Sequence, residues 1–98
     1  MPVLIIQTEK GEKSYNLGKE PVTIGRSPAS SVQISDPASS RKHCIVKSSG
    51  EAVVVVDLGS ANGTKVNNKK ITREQVLHAG DMIQIGKTVI RYIDDRIA

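Results

Sequence analysis

With 98 residues, 38% hydrophobic side chains, 24% charged side chains and a formal net charge of +4, the chain has enough material for one hydrophobic core and not for two. That balance suits a folded chain and argues against disorder. A single cysteine excludes an internal disulfide, no Cys/His spacing suits zinc, and no stretch approaches the length of a transmembrane helix. No cofactor or metal is expected.

The chain has no Phe or Trp and two Tyr, so its core must come from Val, Ile and Leu, which favours strands. Met1-Pro2-Val3-Leu4-Ile5-Ile6 lacks the charged flank and the cleavage site of a signal peptide, and a cytoplasmic location is expected. A pI near 9.4 draws in anionic partners without saying which anion.

In chain order, short apolar runs alternate with turn signals, the spacing of a sandwich or barrel. Val3 to Gln7 reads as a strand and Glu9 to Glu12 as the turn that returns it. Ser14 to Leu17 and Val22 to Ile24 alternate with period two. A loop rich in small polar residues opens with Gly25-Arg26 and leads into the brief strand Val32 to Ile34. After Ser35 to Ser40 the sheet resumes at His43 to Lys47, and Ser48 to Glu51 makes a hairpin turn into Ala52 to Leu58. This run is apolar on both faces and belongs in the middle of the packing. Cys44, inside an apolar run, reads as a buried thiol rather than a nucleophile.

The next loop, Gly59 to Thr64, holds the Asn62-Gly63 pair, which favours the positive φ of a tight turn. Two small strands flank Asn67-Asn68, read as a type I′ turn. Thr72 to Val76 is the only stretch able to make a helical turn. Leu77 to Asp81 carries a further turn, and Met82 to Ile85 with Thr88 to Ile93 forms a hairpin across Gly86-Lys87. Residues from Asp94 onward are expected to fray.

Chemistry concentrates at Ser39-Ser40-Arg41-Lys42-His43, between the turn-forming Asp36-Pro37 and an apolar run. A hydroxyl and a guanidinium side by side at a loop-to-strand junction both donate to one anion, and the strand behind aims them. The loops that open with Gly25-Arg26, end with Ser40 to His43 and hold Ser60 to Gly63 are of similar character. If strands alternate in direction, loops separated by an even number of strands share one end of the sandwich, so these three are expected to converge.

Gly25-Arg26, Ser40-x-x-His43 and Asp57-Leu58-Gly59-Ser60-Ala61-Asn62-Gly63-Thr64 with Val66-Asn67 stand in this order. Leu77, Gly80-Asp81 and Ile83-x-Ile85-Gly86 complete the pattern. On these residues the chain resembles a forkhead-associated (FHA) domain, as one domain over 1–98 with its motif-bearing core over about 3–93. The resemblance implies an all-β fold, an eleven-stranded β-sandwich with ligand-binding loops at one end that take a phosphothreonine of a partner protein phosphorylated by a Ser/Thr kinase. It implies phosphate contacts from Arg26 and Ser40, contact from Arg41 to phosphate or peptide backbone, and a hold on the peptide backbone by Asn62. Gly25, His43, Ser60 and Gly63 take supporting roles. Many relatives place a polar side chain where this chain has Ala61, so one side-chain hydrogen bond is missing here.

Arg26 supplies a fork that stays charged and Ser40 a short donor, which suits a dianion with three acceptor oxygens. His43 reads as a loop brace, because no nucleophile elbow accompanies it and Asp36 to make a triad. Two other classes remain open. One is a phosphate-independent scaffold or oligomerisation domain; the other is a small basic nucleic-acid-binding domain, for which the interleaved aromatics are lacking. No acid, base or metal constellation of an enzyme can be assembled.

Overall fold

Strand residues two apart point to the same side, so the apolar positions Leu4 and Ile6, Ile83 and Ile85, and Ile90 and Tyr92 each offer one face for burial, and all six are buried. In the computed structural model, which describes residues 2–8 and 10–94, these faces meet between two sheets. The strands are β1 (Val3–Thr8), β2 (Gly11–Asn16), β3 (Val22–Gly25), β4 (Val32–Gln33), β5 (Cys44–Ser49) and β6 (Ala52–Asp57), followed by β7 (Lys65–Val66), β8 (Lys69–Lys70), β9 (Glu74–Leu77), β10 (Met82–Ile85) and β11 (Thr88–Ile93). One sheet has the order β2-β1-β11-β10-β7-β8 and the other β4-β3-β5-β6-β9.

The core joins Leu4, Ile6, Ile83, Ile85, Ile90 and Tyr92 of the first sheet to Val22, Ile24, Val46, Val53, Val55 and Leu77 of the second. This is an eleven-stranded β-sandwich. Its interior strand β6 buries three consecutive valines, Val53, Val54 and Val55, in keeping with a run apolar on both faces. Cys44 is also buried, and burial first, then the Asp57 charge, pushes its thiol pKa up to about 12 against a smaller opposing hydrogen bond with Thr64. The thiol stays protonated and is no nucleophile at neutral pH.

Several expectations need adjustment. The turn before β2 is shorter than Glu9 to Glu12, since β2 begins at Gly11; Glu9 lies outside the described residues, as does Met1. The stretch Thr72 to Val76 makes no helical turn. Glu74 to Leu77 instead pairs with β6, Val53 opposite Leu77 and Val54 opposite Val76, because the open edge of that sheet satisfies its backbone and the core takes Leu77. Asn67 and Asn68, with φ of 51° and 70°, make the turn joining β7 to β8, whereas in the Asn62-Gly63 pair the positive φ falls on Gly63 alone. At the far end Asp94 accepts a hydrogen bond from the Tyr92 hydroxyl at 2.8 Å, and residues 95–98 lie outside the described residues.

One difference positions the site. Strands do not simply alternate in direction: β3 and β4 run parallel, with Ile24 opposite Val32 and Gly25 opposite Gln33. Residues 26–31 therefore fold back along β3 before the chain turns upward again. That excursion puts the β3–β4 and β4–β5 loops at the same end, although a single strand separates them.

Candidate functional site

At the end of the sandwich where β3 finishes, three loops are tied to one another by hydrogen bonds. The Arg26 amide donates to the Ser40 carbonyl and the Ser27 amide to the Arg41 carbonyl, each at 3.1 Å. The Ala61 amide donates to Ser40 Oγ at 3.0 Å, and Asn62 Nδ2 donates to the Ala38 carbonyl at 2.8 Å. The structure thus brings Arg26, Ser40, Arg41 and Asn62 to one surface. A cavity of about 370 Å³ lined by Leu17, Lys19, Val46 and Val53 lies at the opposite end, away from these residues.

Each of the four side chains keeps donors to spare. Arg26 is exposed, and its Nε donates to the Ser39 carbonyl at 2.8 Å. This fixes the plane of the guanidinium and leaves its two terminal nitrogens for a ligand. Ser40 Oγ spends a lone pair on the Ala61 amide, so its own proton remains to be donated. Arg41 is exposed, and its carbonyl rather than its side chain makes the local bonds, to the Ser27 amide and the Ser30 hydroxyl. Asn62 uses one N–H on Ala38 and keeps its second N–H and its carbonyl oxygen.

Behind this surface the supporting residues are packed with little tolerance. A Cβ on Gly25 would overlap the Arg41 carbonyl oxygen, so only glycine lets the two loops approach this closely. His43 is fully buried; its Nδ1 accepts from the Ser40 amide at 3.0 Å, so the proton sits on Nε2, which donates to the Gly63 carbonyl at 2.8 Å. One ring therefore joins the loop of Ser40 to the loop of Asn62. Asp36 makes no part of a relay with His43, since its carboxylate bonds Ala38, Lys87 and Thr88 instead.

Two carboxylates outside the expected set of site residues, Asp36 and Asp57, brace the loops. Asp57 accepts from the Ser60 hydroxyl at 2.6 Å, the Thr64 hydroxyl at 2.7 Å and the amides of Gly59 and Ser60 at 3.1 Å. Burial pushes its pKa up, but these hydrogen bonds outweigh burial and hold it below the ordinary value. Asp36 accepts from the Ala38 amide at 2.9 Å through Oδ1, and through Oδ2 from the Lys87 amide at 2.8 Å, the Thr88 amide at 3.1 Å and the Thr88 hydroxyl at 2.9 Å. Its pKa is held down by the same balance. Asp36 thereby fastens a loop of one sheet to the β10–β11 hairpin of the other. An aspartate two or three residues before its own amide donors is a local signal visible in sequence; the bond to Thr88, 52 residues away, is not.

The FHA domain family model matches residues 22–86. The chain is 39% identical over 74 residues to the FHA domain-containing protein FhaB of Mycolicibacterium smegmatis, covering 76% of this chain and 48% of that protein. To an oxoglutarate dehydrogenase inhibitor of Corynebacterium jeikeium it is 42% identical over 73 residues, covering 74% of this chain and 50% of that protein. The chain thus spans about half the length of these curated relatives. A solved structure from a structural and functional study of phosphothreonine-dependent FHA domain interactions superposes with a TM-score of 0.88 at 29% identity, covering 98% of each chain. With the family model matching more than half of its length and the same fold over nearly all of it, the chain belongs to the FHA domain family.

Proposed function

We propose that the three loops bind a phosphothreonine in an extended segment of a partner protein that is the substrate of a Ser/Thr kinase, and that the domain turns phosphorylation into association without chemistry of its own. The observation that carries this reading is the pairing of Arg26 with Ser40. Their backbones are bonded at 3.1 Å, Arg26 is braced through Nε, and Ser40 is braced through its lone pair. What remains free is a set of donors with a fixed positive charge, matched to a group of roughly −1.5 to −2 charge and three acceptor oxygens. Arg26 and Ser40 hold the phosphate, Arg41 reaches phosphate or peptide backbone, and Asn62 holds the backbone beside it. A fold neighbour studied for phosphothreonine-dependent interactions supports the choice of ligand. The cytoplasm, where such kinases meet their substrates, is the proposed location.

The test is a titration of degenerate phosphothreonine, phosphoserine and unphosphorylated peptide pools against the parent and Arg26→Ala, with backbone amide NMR shifts. Saturable binding to the phosphothreonine pool, shifts confined to the three loops and loss in the variant are expected. Equal binding to all pools would refute the reading.

A further inference from the structure

The hairpin β7–β8 lies beside the Asn62-Gly63 loop and carries Lys65, Lys69 and Lys70. Lys65 and Lys70 stand directly opposite one another in the ladder, an arrangement of like charges that costs stability. Among the described residues none of the three lysines is paired with a carboxylate. The stem of Lys70 runs over Gly63: a Cβ there would meet Lys70 Cε at 2.5 Å and Nζ at 3.3 Å. Gly63 thus leaves the lane along which Lys70 reaches the edge of the candidate site.

The reach is bounded by covalent geometry. Ser40 Oγ lies 3.0 Å from the Ala61 amide, and two Cα steps of about 3.8 Å lead to Gly63. The Lys70 ammonium is therefore no more than roughly 17 Å from the proposed phosphate ligand Ser40, or about five residues of extended peptide. From this placement we infer that Lys70 is a specificity-determining residue that selects partner segments carrying an acidic side chain within about five residues of the phosphothreonine. The inference rests on the phosphothreonine reading above. A carboxylate there would also relieve the repulsion between Lys65 and Lys70.

The experiment uses one phosphothreonine peptide of neutral residues and a set in which Glu, or Gln as its uncharged match, is placed singly at each of five positions on either side. Affinities are measured for the parent, Lys70→Glu and Lys19→Glu, the last making the same charge change at the opposite end of the sandwich. The parent is expected to favour Glu over Gln at one or two adjacent positions by roughly twofold to fivefold at low ionic strength, the range of exposed ion pairs, and less in high salt. Lys70→Glu should abolish or reverse that preference and Lys19→Glu should keep it. A parent without positional preference, or equal loss in both variants, would overturn the inference and leave the phosphothreonine reading standing, because the neutral phosphopeptide still discriminates against its unphosphorylated form. Failure of that discrimination would overturn both.

Discussion

Ser40 Oγ accepts the Ala61 amide at 3.0 Å, so the hydroxyl of one loop is oriented by the backbone of another. The missing polar side chain at Ala61 does not matter to this bond, which any residue but proline would make. With one lone pair committed, the Ser40 proton remains to be donated to another acceptor. Ser40→Ala removes a donor to a charged group and leaves the Ala61 amide to water. A charge-assisted hydrogen bond contributes about 1.5–3 kcal/mol, so phosphopeptide affinity should fall by roughly tenfold or more in calorimetric titration, with the melting temperature little changed. A normal affinity would place the phosphate away from Ser40.

Arg26→Ala should weaken the same peptide by well over tenfold, in the range of a truncated charge-paired group. Arg26→Lys should recover only part of the loss, since the three donors of an ammonium radiate from a single atom and lack the planar fork that lets Arg26 bond the Ser39 carbonyl through Nε while its two terminal nitrogens face the ligand. The comparison of the two variants is the informative measurement: full rescue by lysine would mean that only charge is read.

Gly25→Ala should act through packing. Its methyl group would overlap the Arg41 carbonyl oxygen, so the loops must separate, at a cost of about 1–3 kcal/mol. Denaturant unfolding should show the lower stability, and peptide affinity should fall even though Gly25 touches no ligand. An unchanged unfolding midpoint would contradict the close approach of the two loops.

His43→Ala should be among the most destabilising changes at this end. It opens a cavity and strands the Ser40 amide and the Gly63 carbonyl, a loss of about 2–4 kcal/mol measured by urea unfolding. His43→Asn keeps an acceptor and a donor but is shorter than the imidazole, and should fall between the parent and alanine.

Acid should loosen the loops before it affects the core. Asp36 and Asp57 both have folded pKa values below 3.8, so the stability they contribute is fully present above that value and is lost as pH falls through it toward their folded values. At pH 7, Asp57→Asn should cost about 1–3 kcal/mol, because its amide nitrogen meets donors where a carboxylate oxygen met them. The gap between parent and Asp57→Asn in melting temperature should narrow below about pH 4, as the parent takes up its own proton. A gap that stays constant to pH 2.5 would mean that the Asp57 pKa does not change on folding and that its hydrogen bonds do not favour the carboxylate.

Much of the fold was legible because burial and turn chemistry are local. The valine run Val53 to Val56 and the hairpin across Gly86-Lys87 follow from alternation and turn residues, and Asn67-Asn68 adopts the left-handed conformation that asparagine tolerates. Thr72 to Val76 reads as a helical turn from sequence, and the strand Glu74–Leu77 stands there instead, because its strand character comes from β6, about twenty residues away. The convergence of the three loops was expected for the wrong reason. Simple alternation would have put the Arg26 and Ser40 loops at opposite ends, and only the parallel pairing of β3 with β4 brings them together.

The sequence by itself determined the all-β class, the family and the short list of residues able to grip an anion, because these depend on residue type and spacing. The tertiary structure alone decided how those residues are held. Ser40 Oγ accepts from the Ala61 amide, Arg26 is oriented by the Ser39 carbonyl, one histidine ring joins two loops, and Asp36 reaches Thr88 across the sandwich. Each of these bonds joins groups distant in sequence or uses a backbone amide or carbonyl that every residue carries, and no pattern of side chains along the chain announces which of them will meet.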